Sequence, residues 1–139
     1  MFDELRDQDT RAGTHFFEQR LARYYSKVGL WERALEYANE AARETPNLFS
    51  VYVTRARVKL DLGRVSDVRE DIEEMERITA DATTGEGKSN RFLLTDIRVR
   101  YHLARGEAEV ARTVLNRFAG GTPRHVRERL AQEIAARGH

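Results

Sequence analysis

Three glycines recur in one local setting, and their spacing constrains the fold of this chain more than any other feature. They stand in Lys27-Val28-Gly29-Leu30-Trp31, Asp61-Leu62-Gly63-Arg64-Val65 and Ala104-Arg105-Gly106-Glu107-Ala108. Each follows one apolar-periodic segment and precedes another. Gly29 and Gly63 are 34 residues apart, and Gly63 and Gly106 are 43 apart, which is the same period plus nine. Both prolines of the chain keep this register, each 17 residues after its glycine: Pro46 after Gly29 and Pro123 after Gly106. A period of this length marks a supersecondary unit that cannot bury its apolar face alone and must stack on neighbours. Glycine at each turn supplies the φ > 0 conformation that a side chain resists.

The apolar spacing predicts helices over 14–28 and 31–44, 47–62 and 65–80, 90–105 and 107–119, and finally 123–137. Ala34, Ala38 and Ala41 recur at i, i+4 and i+7, a small-residue stripe that lets one helix lie close against its partner. Phe17, Leu21, Tyr25, Trp31, Leu35 and Tyr37 surround the stripe and are expected to supply buried area. The last helix carries Val126, Leu130 and Ile134 at i, i+4 and i+8 and reads as a cap on the final apolar face. The segment 81–91, DATTGEGKSNR, reads as a loop.

Around the first glycine the order Leu21-Ala22-x-x-Tyr25, Gly29, Trp31, Ala34, Ala38, Ala41 and Pro46 closely resembles the tetratricopeptide repeat (TPR). The second unit follows more loosely with Tyr52, Ala56, Gly63, Val65, Val68, Ile72 and Met75. The third does so with Val99, Gly106, Ala108, Ala111, Leu115, Phe118 and Pro123, with Thr95 where a large aromatic is usual. The resemblance implies an all-α fold, a right-handed superhelical stack of antiparallel hairpins. It would comprise a tail or short helix over 1–14, three repeats over 15–123 (15–48, 49–91 with the inserted loop 81–91, and 92–123), and a capping helix over 124–139. It also implies a protein–protein interaction module that binds a peptide or partner protein in a concave groove lined by the first helix of each unit.

Six residues before each turn glycine stands an arginine: Arg23, Arg57 and Arg100. By the resemblance these face the groove, where their forked guanidiniums would hold an acidic or C-terminal carboxylate peptide. The competing expectation is arginine paired with acids on neighbouring helices. Gln19, Lys27, Val53, Leu60, Asp96 and Leu103 are the other inner-face candidates. The carboxylate clamp of the chaperone-binding TPR subclass is not matched: Gln19, Arg23, Thr54, Leu93 and Ile97 stand at its places.

Other chemistry finds little footing. The chain has no cysteine, which removes disulfides, thiolate metal sites and thiol nucleophiles. His15, His102, His125 and His139 show no metal-ligand spacing, and His102 reads as a half-buried packing residue. Ala82 to Ser89 match the loosest phosphate-binding pattern, but an acidic helix precedes them where that motif needs a strand. No cofactor, metal or enzymatic activity is expected. Lys and Arg number 24 against 23 Asp and Glu, so the overall charge points to no polyanionic partner. Locally, 61–87 carry three positive and nine negative side chains and 88–139 carry eleven and five. That asymmetry is compatible with head-to-tail self-association, with steering of an anionic partner, or with compensation inside the chain. RNA binding lacks an aromatic stacking platform. The acidic opening MFDELRDQD does not read as a secretory signal, and no apolar run could span a bilayer, so the cytoplasm is expected. The alternatives to an interaction module are a regulatory or sensor segment of a larger signalling or NTPase protein, and a self-assembly module.

Overall fold

The computed structural model describes residues 17–81 and 86–137, and within them every regular element is helical. The helices are α1 (Phe17–Lys27), α2 (Trp31–Glu44), α3 (Phe49–Leu62), α4 (Val65–Asp81), α5 (Glu86–Ala104), α6 (Ala108–Arg117) and α7 (Arg124–Arg137), with a 3₁₀ turn over Ala119–Gly121 before the last. The expected 1–14 segment, His15 and His139 lie outside the described residues.

The three turn glycines share one geometry. Gly29, Gly63 and Gly106 have φ of 81°, 79° and 77°. In each turn the glycine N–H donates three residues back, and the next N–H donates five back: Leu30 to Tyr25 O, Arg64 to Lys59 O and Glu107 to His102 O, at 2.9, 2.9 and 2.8 Å. This is the Schellman arrangement, which satisfies the orphan carbonyls of the ending helix and turns the chain into the next. Three copies of it build three hairpins: α1–α2, α3–α4 and α5–α6.

Each helix packs on the next in sequence, except that α1 to α7 also touch two apart, through α1–α3, α3–α5 and α5–α7. Three apolar clusters result. Phe17, Leu21, Tyr25, Ala34 and Leu35 pack with Val58 at one end. Ala41, Val51, Tyr52, Val53, Val68, Met75 and Ile97 form the centre. Val99, Leu103, Ala111 and Leu115 meet Val126, Leu130 and Ile134 of α7 at the other end. The small-residue stripe works as expected, with Ala34, Ala38 and Ala41 at most 3% exposed. Tyr25 stacks on the half-buried Tyr37 at 5.5 Å.

Two expectations are corrected. Trp31 is 41% exposed, because it stands at the first position of α2, at the tip of the hairpin. Of the loop expected over 81–91, Asp81 and residues 86–91 are helical, since α5 begins at Glu86 and takes in Gly87, Lys88 and Ser89, while 82–85 lie outside the described residues. Gly and Ser disfavour a helix by no more than about 1 kcal/mol each, and the buried Leu94, Ile97 and Val99 further along α5 outweigh that. The remaining boundaries differ by a few residues or less, α7 starting at Arg124 directly after Pro123.

Candidate functional site

α3, α5 and α7 are successive neighbours, and a hollow of about 520 Å³ lies along them. Each helix contributes one Arg–acid pair spaced i, i+4, which puts both members on the same face: Arg57 and Asp61 from α3, Asp96 and Arg100 from α5, Arg129 and Glu133 from α7. Leu60 and Leu103 add apolar margin, and Arg137 closes the α7 side. Asp96 is 4% exposed and sits at the focus. Its Oδ1 accepts from Arg100 Nε at 2.9 Å and lies 3.8 Å from Arg129 Nη2, while Oδ2 lies 3.7 Å from Arg57 Nη2. Arg100 also reaches Glu133 Oε1 with Nη2, at 3.4 Å.

The structure brings some of the expected residues together and separates others. Arg57, Arg100, Asp96, Leu60 and Leu103 line this hollow, whereas Arg23 does not. The three-rung ladder is therefore reduced to two rungs, both already facing an acid. Gln19 is 3% exposed and ties α1 to α3, its Nε2 donating to Ser50 O at 3.4 Å and to Thr54 Oγ1 at 3.3 Å. Val53 is 5% exposed within the central cluster, so it is a packing residue, not a groove wall. Lys27 is exposed at the last position of α1. Sequence reading does not single out Arg129, Glu133 and Arg137 as a site, although their i, i+4, i+8 spacing forms a polar row along one flank of the apolar stripe of α7.

A second hollow, of about 640 Å³, lies between α4, α5 and α6. Arg98 and Arg117 stand over the Phe118 ring at 5.0 and 5.5 Å from its centroid. Arg98 also pairs with Glu76 at 2.9 Å, which joins the basic C-terminal half to the acidic α4. His102 is half-buried, as expected, and its Nδ1 lies 3.0 Å from Glu107 Oε1 across the third turn. That hydrogen bond, helped by Arg105, holds the Glu107 carboxyl below its ordinary value.

Between α3 and α4 lies an ionic cluster that sequence reading did not single out. Asp71 is fully buried; Arg55 Nε donates to its Oδ1 at 2.6 Å, and Lys59 Nζ stands 3.0 Å from Oδ2, off the hydrogen-bonding direction. Lys59 instead donates to the Asp67 carbonyl at 3.0 Å. Burial pushes the Asp71 carboxyl above its usual range, while Arg55 and Lys59 pull it back in part. Compensation of charge between adjacent hairpins is thus seen at Glu76 with Arg98, whereas Asp71 is compensated within its own hairpin.

Among the described residues no three His, Cys, Asp or Glu side chains converge as a metal site, and no helix is long and apolar enough to cross a membrane. Compared with protein-family models, with curated proteins and with solved structures, the chain finds no match.

Proposed function

We propose that the chain is a TPR-like array of three hairpins and a capping helix, a non-enzymatic interaction module that takes an acidic peptide segment in the hollow along α3, α5 and α7. Support for the array comes from the 34-residue period, from three turns of one geometry, and from contacts that link alternate helices as well as neighbours. Support for the ligand class rests on one observation. The hollow gathers four arginines, Arg57, Arg100, Arg129 and Arg137, against the three carboxylates of Asp61, Asp96 and Glu133. Guanidinium forks on an apolar margin suit peptide carboxylates. Among the described residues no aromatic side chain lines this hollow, which disfavours stacked nucleobases.

The test is fluorescence anisotropy with a labelled hexaglutamate peptide carrying a free C-terminal carboxylate. Binding by the wild-type chain, lost in an Arg57→Glu, Arg129→Glu double variant that keeps its helical circular dichroism, is the expected result. An oligoribonucleotide that binds more tightly than the peptide, or binding untouched by the double variant, would overturn the reading.

Self-association is a second reading, carried by a different observation. Val28, Leu30 and Trp31 are 53%, 53% and 41% exposed around the first turn, where the other units place Leu62, Arg64 and Val65, and Arg105, Glu107 and Ala108. Exposed apolar groups in contiguity are characteristic of contact surfaces. Sedimentation velocity giving one monomeric species at every concentration would remove it.

A further inference from the structure

Asp96 is an unusual residue to find at the focus of a hollow proposed to receive carboxylates. It is 4% exposed, it is negative, and it faces guanidiniums from three different helices. Building on the acidic-peptide reading above, we infer that Asp96 is an internal competitor for the incoming carboxylate, and that Arg57 and Arg129 are the pair that turn from it to the ligand.

The distances divide the three arginines into two kinds. An N–H···O hydrogen bond spans about 2.7–3.2 Å. Arg100 meets that standard, with Nε 2.9 Å from Oδ1, and its Nη2 is turned to Glu133. Its planar fork is committed to the protein. Arg57 and Arg129 do not meet it: they stand 3.7 and 3.8 Å from the carboxylate, and each side chain is 52% exposed. They feel the charge of Asp96 without spending their donors on it, so the five N–H groups of each remain open to a ligand. They also sit on α3 and α7, the two helices flanking Asp96, so a carboxylate bridging them spans the hollow.

Asp96 then acts in two directions. Its charge draws Arg57 and Arg129 toward the middle of the hollow, and the same charge repels any anion that enters. A single weak anion gains too little to compensate, whereas a peptide offering several carboxylates does. Asp96 is in this sense a specificity-determining residue that sets the threshold for binding.

A purely structural Asp96 predicts the opposite sign from a competitor, which makes Asp96→Asn decisive. The amide oxygen keeps an acceptor for Arg100 Nε and removes the charge. One unit of repulsion at about 7 Å in a partly solvated site corresponds to about three- to tenfold in affinity. Anisotropy with labelled hexaglutamate should therefore show binding about three- to tenfold tighter in Asp96→Asn than in wild type, the gain shrinking as salt is raised. Equal or weaker binding by the variant overturns the inference and leaves the peptide reading intact if the wild type binds. Binding by neither overturns both. Should Asp96→Asn fail to fold, titration of the wild-type chain with the same peptide, followed by the arginine Nε–Hε resonances, decides instead. Arg57 and Arg129 should shift more than Arg100, and the reverse order would overturn the proposal.

Discussion

A residue held at positive φ makes a strict demand that can be tested one position at a time. At Gly63 an added Cβ would meet nothing within 4 Å, so steric conflict with neighbours plays no part in its choice. What remains is the left-handed backbone itself, at φ 79°. Gly63→Ala should lower stability by about 1–2 kcal/mol, and Gly63→Asn by less, because asparagine tolerates that region. Urea unfolding with an unchanged m-value checks it. The ionic cluster makes a different demand. Lys59→Met takes away one of the two cations that face the buried Asp71 and leaves it to Arg55 alone, which should cost up to about 3 kcal/mol at neutral pH. The pH dependence has a definite sign. Burial already holds the Asp71 carboxyl above its unfolded value, so its stabilising contribution is present in acid and lost as pH rises through the folded value. Loss of Lys59 raises that value further. The penalty in Lys59→Met should therefore be greatest at neutral pH and fade below about pH 4, where Asp71 is protonated in either state. Adding Asp71→Asn, which removes the charge but keeps an acceptor for Arg55 Nε, should restore part of the stability, which a double-mutant cycle measures.

At the scale of the element, α7 combines two duties on two faces. Leu130 and Ile134 are 0% and 1% exposed against α5 and α6, while Arg129, Glu133 and Arg137 wall the hollow. Leu130→Ala should destabilise by about 2–5 kcal/mol through the cavity it leaves, and thermal unfolding reads this directly. The apolar face of α7 was legible from its i, i+4, i+8 spacing because burial against one side imposes that period. So were the hairpins, since glycine and proline punctuate them in a fixed register. The start of α5 was not, because Gly87 and Ser89 suggest a loop locally and the decision is made by residues several positions on. Trp31 misled for a related reason: a large aromatic near the stripe is expected inside, but the first position of a helix at a hairpin tip has little to pack against. The hub at Asp96 was the least legible feature. Its three arginines lie on three helices, and no spacing along the chain encodes the distance between helices.

For the whole molecule, the pattern of contacts decides how cooperative unfolding can be. Among the described residues each hairpin touches its neighbours in the chain, and in the proposed array stability would be distributed as local and nearest-neighbour terms. The largest cluster is central and draws on α2, α3, α4 and α5, with Val51, Ala56, Val68, Met75 and Ile97 at most 1% exposed. α1 packs on α2 and α3, and α7 on α5 and α6, so each end has partners on one side within the described residues. Opening an end helix breaks fewer apolar contacts than opening α3 or α5. Native-state hydrogen exchange should accordingly place the most protected amides in α3 and α5, at the global unfolding free energy, with α1 and α7 exchanging through smaller openings. Uniform protection across all seven described helices would mean that the chain unfolds as one cooperative unit, and the proposed array of nearest-neighbour hairpins would then lose this support.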